Sequence, residues 1–308
     1  TLFCYTWIID SIYMPPLGFE LEKLDQILGE LGGPFGLPVY EPHHAHGEDH
    51  LYDYLGTAGI ALEPTHVFPQ TDRLILLTAG SARDEKILDR MKDHLSRGGD
   101  ICITSGFLGA MQEKGIGEFT SARVTGGRAC AKDYSIAGFG SVFTGEYYGR
   151  DEVLLPIIKH MTNSADCLIA LRRNDNSFPV LLRNRYANGT LYVLAVPDDY
   201  ADIYRYPGEV ISTIRQYLMS SLGIYMEGGS KCGLFLYDND TIIIESFTYR
   251  STRIRLHTIG VSRLRDIRTG IETGPVLQKG DESIFEVPLQ PVFYRAFKLV
   301  RQSAPVRT

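Results

Sequence analysis

The residues best suited to chemistry lie in one loop, the segment EPHHAHGEDH at 41–50. Imidazole and carboxylate groups this close together can bind Zn²⁺ or another divalent cation. The segment follows a short apolar stretch (LPVY) that predicts a strand, and open α/β folds place ligands at the carboxyl ends of their strands. Five side chains are therefore candidates for a ligand-binding or interface loop, namely His43, His44, His46, Glu48 and Asp49, and His50 is a further candidate as a metal ligand.

A metal site in this loop would use His44, His46 and His50 as its ligands. Their spacing matches no established metal motif such as H-E-x-x-H. His46 and His50 are four residues apart, but the start of a predicted helix lies between them. The acids Glu48 and Asp49 also fit a simpler role, since negative side chains are favoured at helix N-termini. The alternative is a polar loop that faces a neighbouring domain or subunit.

Ser105 is the candidate nucleophile, because it follows a buried strand (DICITS) where a helix is predicted to begin. A nucleophile elbow needs small residues on both sides, as in G-x-S-x-G, so that the side chain is lifted out of the sheet. Here those positions hold Ile103 and Phe107, and the thiol of Cys102 lies inside the strand. No His-x-Glu pair that could activate a nucleophile follows in the sequence. The alternative is a structural turn in which Ser105 caps the next helix.

Composition argues against several classes of function. The net charge is −6 and no long basic run is present, so nucleic-acid binding is not expected. No apolar run is long enough for a membrane span. The five cysteines are scattered without a C-x-x-C pair, which argues against a disulfide framework and a thiolate zinc site. We expect no cofactor, and the compartment stays open, with the cytoplasm favoured.

The elements that would position these residues alternate between strands and helices from Leu37 onward. The apolar segments LPVY, RLILLT and DICITS predict buried strands, and DHLYDYLGTAG predicts a helix. A second helix is predicted from Ser81, whose S-x-x-D spacing to Asp84 is typical of a capping box. Strands that are apolar throughout and alternate with helices indicate a parallel sheet covered on both faces.

Further along the chain the predicted pattern changes. A helix is expected near 152–161, and a hairpin is expected around 187–189 (ANG) because Asn-Gly favours tight turns. A long helix is predicted over 208–222. Beyond 227–230 (EGGS), short segments of strand-like period separated by turn residues predict a small sandwich.

Three stretches of the α/β region carry a resemblance to a known family: RLILLT, MKDHLSRGGDICITSG and FPVLLRNRYANGTLYVLAVPDD. From about Leu37 to Leu222, the chain resembles the class I glutamine-amidotransferase-like domain of family-42 glycoside hydrolases, the β-galactosidases. Near the C-terminus, IIIESF, RLHTIGVSRLRDIRTGI and FEVPLQPVFYRAFKLV resemble the small β-domain of the same enzymes. In those enzymes both domains follow a catalytic (β/α)8 barrel, and the amidotransferase-like domain takes part in trimer formation.

The resemblance implies a fold class and a division of the chain. We expect a flavodoxin-like three-layer α/β domain with a parallel sheet over 37–226, followed by an all-β sandwich over 231–303. Residues 1–36 would be a leading strand and helix, the end of a truncated barrel, with LFCYTW as its buried strand. The acid and the nucleophile of the glycosidase would then lie upstream of Thr1.

These observations leave three hypotheses for the function. The first is a non-catalytic structural and assembly portion of a carbohydrate-active enzyme. In this hypothesis the chain alone is not an enzyme, a homo-oligomer is expected, and carbohydrate is a further partner. The second is a stand-alone hydrolase that uses Ser105 or a metal in the loop from His43 to His50. The third is a carbohydrate-binding module formed by the β-domain.

Overall fold

The computed structural model describes residues 14–137 and 143–301. The leading strand predicted from LFCYTW lies outside these ranges. The first described elements are α1 (Met14–Leu28) and the short strand β1 (Pro34–Phe35). The leading helix predicted within residues 1–36 is thus present as α1. Within the described ranges, no helix is both long and apolar enough to cross a membrane.

Four parallel strands form one half of a large sheet. They are β2 (Leu37–Tyr40), β3 (Leu62–Thr65), β4 (Ile75–Leu77) and β5 (Ile101–Thr104). The helices of this half are α2 (Leu51–Thr57), α3 (Ile87–Ser96) and α4 (Ser105–Met111). Every residue of β2, β4 and β5 is buried, which explains why the sequence of these strands is apolar throughout.

The other half of the sheet is largely antiparallel, so the prediction of a parallel sheet holds for one half only. Its strands are β6 (Arg123–Ala137), β7 (Phe143–Lys159), β8 (Asp166–Arg173), β9 (Asn176–Tyr186) and β10 (Gly189–Leu194). β10 lies parallel to β5, and the remaining strands continue from it in antiparallel pairs. The nine-stranded order is β3-β2-β4-β5-β10-β9-β8-β6-β7.

β7 occupies the segment for which the sequence predicts a helix near 152–161, and that prediction is wrong. Val153 and Leu155 are buried while Leu154 between them is exposed, which is the alternation of a strand. Pro156 has no N–H to donate and is disfavoured inside a helix. The backbone N–H and C=O groups of this segment therefore form hydrogen bonds more favourably with β6 than within a helix.

The capping box predicted at Ser81 and Asp84 is also wrong. A 3-10 turn over Ala79–Arg83 comes first, and α3 begins only at Ile87. The hydroxyl of Ser81 donates to the carbonyl of Tyr40 at 2.6 Å instead of capping a helix. This bond ties the loop after β4 to the end of β2 and so brings two of the loops of the later site together.

Two local predictions in the later part of the α/β region are confirmed. β9 and β10 pair across the turn at 187–189, with Tyr186 opposite Gly189. The helix predicted over 208–222 is present as α5 (Gly208–Met219), which runs into a 3-10 turn at its end.

After α5 the chain forms a separate all-β region with two antiparallel sheets. Its strands are β11 (Ile224–Glu227), β12 (Cys232–Tyr237), β13 (Thr241–Ser246), β14 (Thr252–Ile259), β15 (Val261–Asp266), β16 (Glu272–Thr273), β17 (Leu277–Lys279), β18 (Glu282–Leu289) and β19 (Tyr294–Arg301). One sheet has the order β1-β12-β13-β19-β15-β16, and the other has the order β11-β14-β18-β17. The strand-like period beyond 227–230 is thus confirmed.

A fully buried arginine joins the α/β region to the all-β region. Arg215 lies on α5, and its guanidinium donates to the carbonyls of Ala58, Met226, Gly228 and Gly229 at 2.6–3.3 Å. Burial lowers the pKa of this guanidinium to about 10, so it is still charged at neutral pH. The end of α2, α5 and the segment that leads into the all-β region are therefore held by one side chain.

Candidate functional site

The loops that follow β2, β5 and β10 converge at one edge of the large sheet and border a cleft of about 380 Å³, with β6 and β7 on its other side. This volume is in the range of small-ligand sites. The cleft is lined by Glu48, Ser105, Gly106, Gly109, Ala110, Val124, Arg128, Pro156, Val196, Pro197, Asp198 and Tyr200. We call it the elbow cleft, because Ser105 and Gly106 form the turn from β5 into α4.

Glu48 lies in the loop over residues 41–50, which we call the histidine loop. Its carboxylate is the central hydrogen-bond acceptor of the elbow cleft. Its carboxylate accepts hydrogen bonds from the N–H groups of Ala79 (2.8 Å) and Gly106 (3.1 Å) and from the hydroxyl of Thr104. One side chain thus joins the loops that follow β2, β4 and β5. Part of the residue reaches the surface, but its carboxylate is enclosed. Burial raises the pKa of this carboxyl group, and the three hydrogen bonds oppose the shift without cancelling it.

The backbone of the histidine loop explains why Glu48 faces inward. His44, Glu48 and His50 have φ values of 61°, 55° and 64°, in the left-handed region that is uncommon for residues other than glycine. Such conformations persist where the surrounding structure holds them, and the bonds of Glu48 do so here. Gly106 leaves the space that the carboxylate needs, because a Cβ at this position would lie 2.4 Å from it. Glu48 therefore holds loops together and does not act on the N-terminus of α2.

Ser105 lies beside Glu48 but is bonded as a structural residue. Only 6% of its surface is exposed, and its Oγ accepts from the N–H of Val196 at 3.0 Å. The cap of α4 is Thr104, whose Oγ1 accepts from the N–H of Phe107 at 3.1 Å. The expectation that Ser105 caps the helix is thus wrong by one residue. Among the described residues that line the cleft, no histidine is present to act as a base.

The backbone donor that follows Ser105 is already in use. In hydrolases with a nucleophile elbow, the N–H of the residue after the nucleophile stabilises the oxyanion. Here that N–H belongs to Gly106 and donates to Glu48. A substrate oxygen would have to displace a buried carboxylate, which would then lose a charge-assisted hydrogen bond. The arrangement stabilises the loops and leaves no free donor at this position for a developing negative charge.

The four histidines of the loop are exposed, and two of them have other partners. They are His43, His44, His46 and His50. The first stacks on His66 with 4.6 Å between ring centroids, and the last lies 3.3 Å from the carboxylate of Asp53. Asp49 accepts from the N–H of Gly47 at 3.2 Å. In the part of the chain that the structure describes, no three His, Cys, Asp or Glu side chains are placed to hold a metal ion. A metal site in this loop stays a prediction.

Sequence reasoning missed the residues that complete the elbow cleft. Arg128 on β6 donates through Nε to both carboxylate oxygens of Asp198, at 2.9 and 2.6 Å, and so joins β6 to the loop after β10. Tyr200 lies close to Glu48: burial, and then the charges of Glu48 and Asp49, raise the pKa of its hydroxyl. These contacts depend on how distant strands pair, and no local sequence pattern marks them.

Two family models match the chain. Residues 30–199 match "Uncharacterized protein SSO3021, second domain". Residues 223–299 match "Probable glycosyl hydrolase, C-terminal domain". The all-β region is thus similar to the C-terminal domain of probable glycosyl hydrolases, in agreement with the resemblance. No curated protein sequence matches the chain.

Solved structures with a similar fold include glycosidases. A catalytic mutant of Gan42B, a GH42 β-galactosidase from G. stearothermophilus, matches with a TM-score of 0.50 and 16% identity over 93% of this chain and 43% of its own. The α-L-fucosidase isoenzyme 2 from Paenibacillus thiaminolyticus matches with a TM-score of 0.55 and 10% identity over 96% of this chain and 53% of its own. The chain thus spans about half the length of these proteins. At these identities the likeness concerns the fold, and at that level the resemblance to the C-terminal region of a family-42-like enzyme is confirmed.

Proposed function

We propose that this chain, which belongs to the family of the second domain of the uncharacterized protein SSO3021, is the non-catalytic rear portion of a larger glycoside hydrolase. Two observations support this: the C-terminal part matches a glycosyl-hydrolase C-terminal domain, and the two glycosidases with a similar fold are about twice as long. The catalytic acid and nucleophile would lie in a preceding barrel. The division into 1–36, 37–226 and 231–303 is part of the proposal.

The observation that carries the proposal is the structural use of the elbow groups. Glu48 occupies the N–H of Gly106, and Ser105 accepts from the N–H of Val196. A hydroxyl or thiol becomes a nucleophile only with an adjacent base or a lowered pKa. Instead, burial raises the pKa of the Cys102 thiol far above its usual range. The elbow cleft therefore favours a scaffold over a stand-alone hydrolase.

The strand order supports a flavodoxin-like, amidotransferase-like origin for the α/β region. If the parallel strands are numbered in chain order, β3-β2-β4-β5-β10 becomes 2-1-3-4-5. This is the order of flavodoxin-like folds. The antiparallel strands β6–β9 would then be an insertion between the fourth and fifth parallel strands.

Activity assays distinguish the scaffold from a stand-alone hydrolase. We expect the chain to hydrolyse p-nitrophenyl acetate and p-nitrophenyl β-galactoside no faster than buffer. Because the Ser105 hydroxyl is hydrogen-bonded to the N–H of Val196 and to no base within the described ranges, Ser105→Ala should equal the wild type. His44→Ala and dialysis against EDTA test the metal alternative and should also change nothing. A rate above buffer that falls about tenfold or more in either variant would contradict the proposal.

Self-association is the contribution that we propose for this portion. β7 is one of the two edge strands of the nine-stranded sheet, and β3 is the other. It carries two exposed apolar side chains, Tyr148 and Leu154, and Met161 just beyond it is also exposed. Edge strands and exposed apolar side chains are typical of interaction surfaces. β7 is therefore the proposed contact between copies of the chain.

Light scattering at several concentrations should give the mass of a defined dimer or trimer and not that of the 34.5 kDa monomer. Leu154→Lys should shift the mass toward the monomer, because a charge on an edge strand opposes its pairing with a strand of another copy. Val67→Lys is the matched control, since Val67 is exposed near the opposite edge of the sheet. A wild-type monomer at every concentration would end the assembly role. A dimer that Leu154→Lys leaves intact would exclude β7 as the contact.

A further inference from the structure

The all-β region contains a second cleft, of about 700 Å³, which is separate from the elbow cleft. It opens between the two sheets, with lining residues from the start of β14, the turn after β15, the end of β18 and the start of β19. Leu289 and Ala296 are its buried apolar lining residues. We call this space the sandwich cleft.

Two arginines of the sandwich cleft are held in place by their neighbours. Arg295 donates through Nε and Nη2 to Oδ2 of Asp266, at 3.2 and 2.7 Å, and lies 4.7 Å from the ring centroid of Phe297. Arg268 lies 5.6 Å over the ring of Phe293. Guanidinium groups are stabilised over aromatic faces. Because Asp266 already restrains Arg295, a ligand would cost this side chain less conformational freedom on binding.

The positive charge of the sandwich cleft exceeds its negative charge. The acid that lines it is Asp266, whose Oδ1 accepts from the N–H groups of Arg268 and Thr269 at 3.1 Å each, while Oδ2 is occupied by Arg295. Burial raises the pKa of Asp266, but these hydrogen bonds and the charge of Arg295 outweigh it and hold the pKa below its usual range. Asp266 is therefore an anion whose bonds are fully committed.

The other charged groups around the cleft leave one guanidinium unmatched. Arg253 is bound to the carboxylate of Glu286 at 2.6 Å. Glu20 on α1 is close enough for the charge of Arg268 to contribute to its lowered pKa, but its hydrogen bond goes to Lys23. In the described part of the chain, the guanidinium of Arg268 donates to no carboxylate.

An aromatic pair forms the apolar part of the cleft. Phe293 and Tyr294 stack with 5.4 Å between ring centroids and 17° between ring planes. The hydroxyl of Tyr294 is enclosed and has no hydrogen-bond partner among the described residues. Enclosed polar groups without partners are rare in proteins and often mark a place for a water molecule or a ligand.

We propose that the sandwich cleft binds an acidic saccharide, with the carboxylate of a uronate unit paired with the guanidinium of Arg268. The remaining Nη1 of Arg295 would add a second positive group, because its Nε and Nη2 are bound to Asp266, and the sugar ring would lie beside Phe293 and Tyr294. Guanidinium groups bind carboxylates through two parallel hydrogen bonds. An apolar wall with a few fixed polar groups is typical of a small-ligand site. The choice of a saccharide rests on the proposed carbohydrate role, whereas the anion binding rests on the arginines alone.

Calorimetric titration of the chain with digalacturonate tests this proposal, with galactobiose and sodium sulfate as comparison ligands. Digalacturonate should bind more tightly than either. Arg268→Ala should weaken its binding about tenfold or more, because charge-assisted hydrogen bonds are lost, and Arg268→Lys should restore only part. Arg263→Ala is the matched control, since Arg263 is an exposed arginine bound to Glu272 outside the cleft. Because Arg268 is exposed, Arg268→Ala should not change the unfolding midpoint.

Four results would overturn the proposal. They are no binding of digalacturonate up to a concentration on the order of 10 mM, equal affinity for sulfate, equal affinity for galactobiose, and unchanged affinity in Arg268→Ala. Each of them leaves the scaffold role untouched, because that role is tested by the mass in solution and by Ser105→Ala. A Ser105-dependent activity together with uronate binding would contradict the scaffold role and support the sandwich cleft as a binding site.

Discussion

Arg215→Met should lower the free energy of unfolding by about 3–5 kcal/mol, a large part of the stability of a typical domain. Four backbone carbonyls would lose their donor, at Ala58, Met226, Gly228 and Gly229. A buried polar group left without a partner costs about 1–3 kcal/mol. Methionine is long and flexible enough to fill much of the same space, so the loss would report hydrogen bonds and not a cavity. Urea unfolding followed by circular dichroism measures it.

Arg215→Lys separates the charge from the geometry of the guanidinium. A lysine ammonium keeps the charge but lacks the planar fork that reaches several carbonyls at once, and we expect a loss close to that of methionine. Arg97→Met is the matched control, because Arg97 is exposed at the end of α3 and should change stability by less than about 0.5 kcal/mol. If Arg215→Met were as stable as Arg97→Met, the carbonyls would have other donors and the joint would not depend on Arg215.

The same substitution should open the segment between the α/β and all-β regions to protease. Arg215 binds the carbonyls of Gly228 and Gly229, and Lys231 follows them as an exposed residue. Segments with few remaining contacts open locally at low cost. Trypsin should therefore cut after Lys231 faster in Arg215→Met than in the wild type. Equal rates would mean that the segment is held by other contacts.

The elements that the sequence predicts well are those whose signal lies in neighbouring residues. β2, β4 and β5 are continuous apolar runs, and the turn at 187–189 contains Asn-Gly. β7 is different, because a few apolar residues in VLLPII fit a helical stripe as well as a strand. Its state is decided by pairing with β6, which brings together residues such as Arg123 and Lys159 that lie far apart in the chain. Local periodicity cannot contain that information.

The candidate site is predictable from the sequence only in part. Glu48 and Ser105 both follow predicted strands, so the sequence indicates the correct edge of the sheet. It does not reveal that Glu48 binds the N–H groups of Ala79 and Gly106, which lie 31 and 58 residues away and donate through their backbone. Any residue type except proline offers such a donor. The segment EPHHAHGEDH attracts attention by its composition, but nothing in the sequence distinguishes Glu48 from its neighbours as the acid that organises the site.

The contact between Glu48 and Gly106 predicts that the effect of Gly106→Ala on stability changes sign when Glu48 is removed. Gly106→Ala should destabilise the chain by about 1–3 kcal/mol, because its Cβ would overlap the carboxylate of Glu48. Glu48→Ala alone should cost about 2–4 kcal/mol, since the donors of Ala79, Thr104 and Gly106 lose a charged acceptor. In the Glu48→Ala background, Gly106→Ala should be neutral or stabilise by up to about 1 kcal/mol, because alanine is favoured over glycine in a helix.

A double-mutant cycle in urea measures this coupling, and Gly109→Ala is its matched control. Gly109 lies in the same helix, and a Cβ there would meet no atom within 4 Å, so alanine should stabilise slightly with or without Glu48. A coupling energy close to zero between Glu48 and Gly106 would contradict the arrangement, because residues in contact do not act additively. The sign change follows only if the carboxylate of Glu48 occupies the space in front of Gly106 in solution. The cycle therefore tests whether Glu48 occupies the N–H of Gly106 in solution, so that a substrate oxygen cannot accept from it.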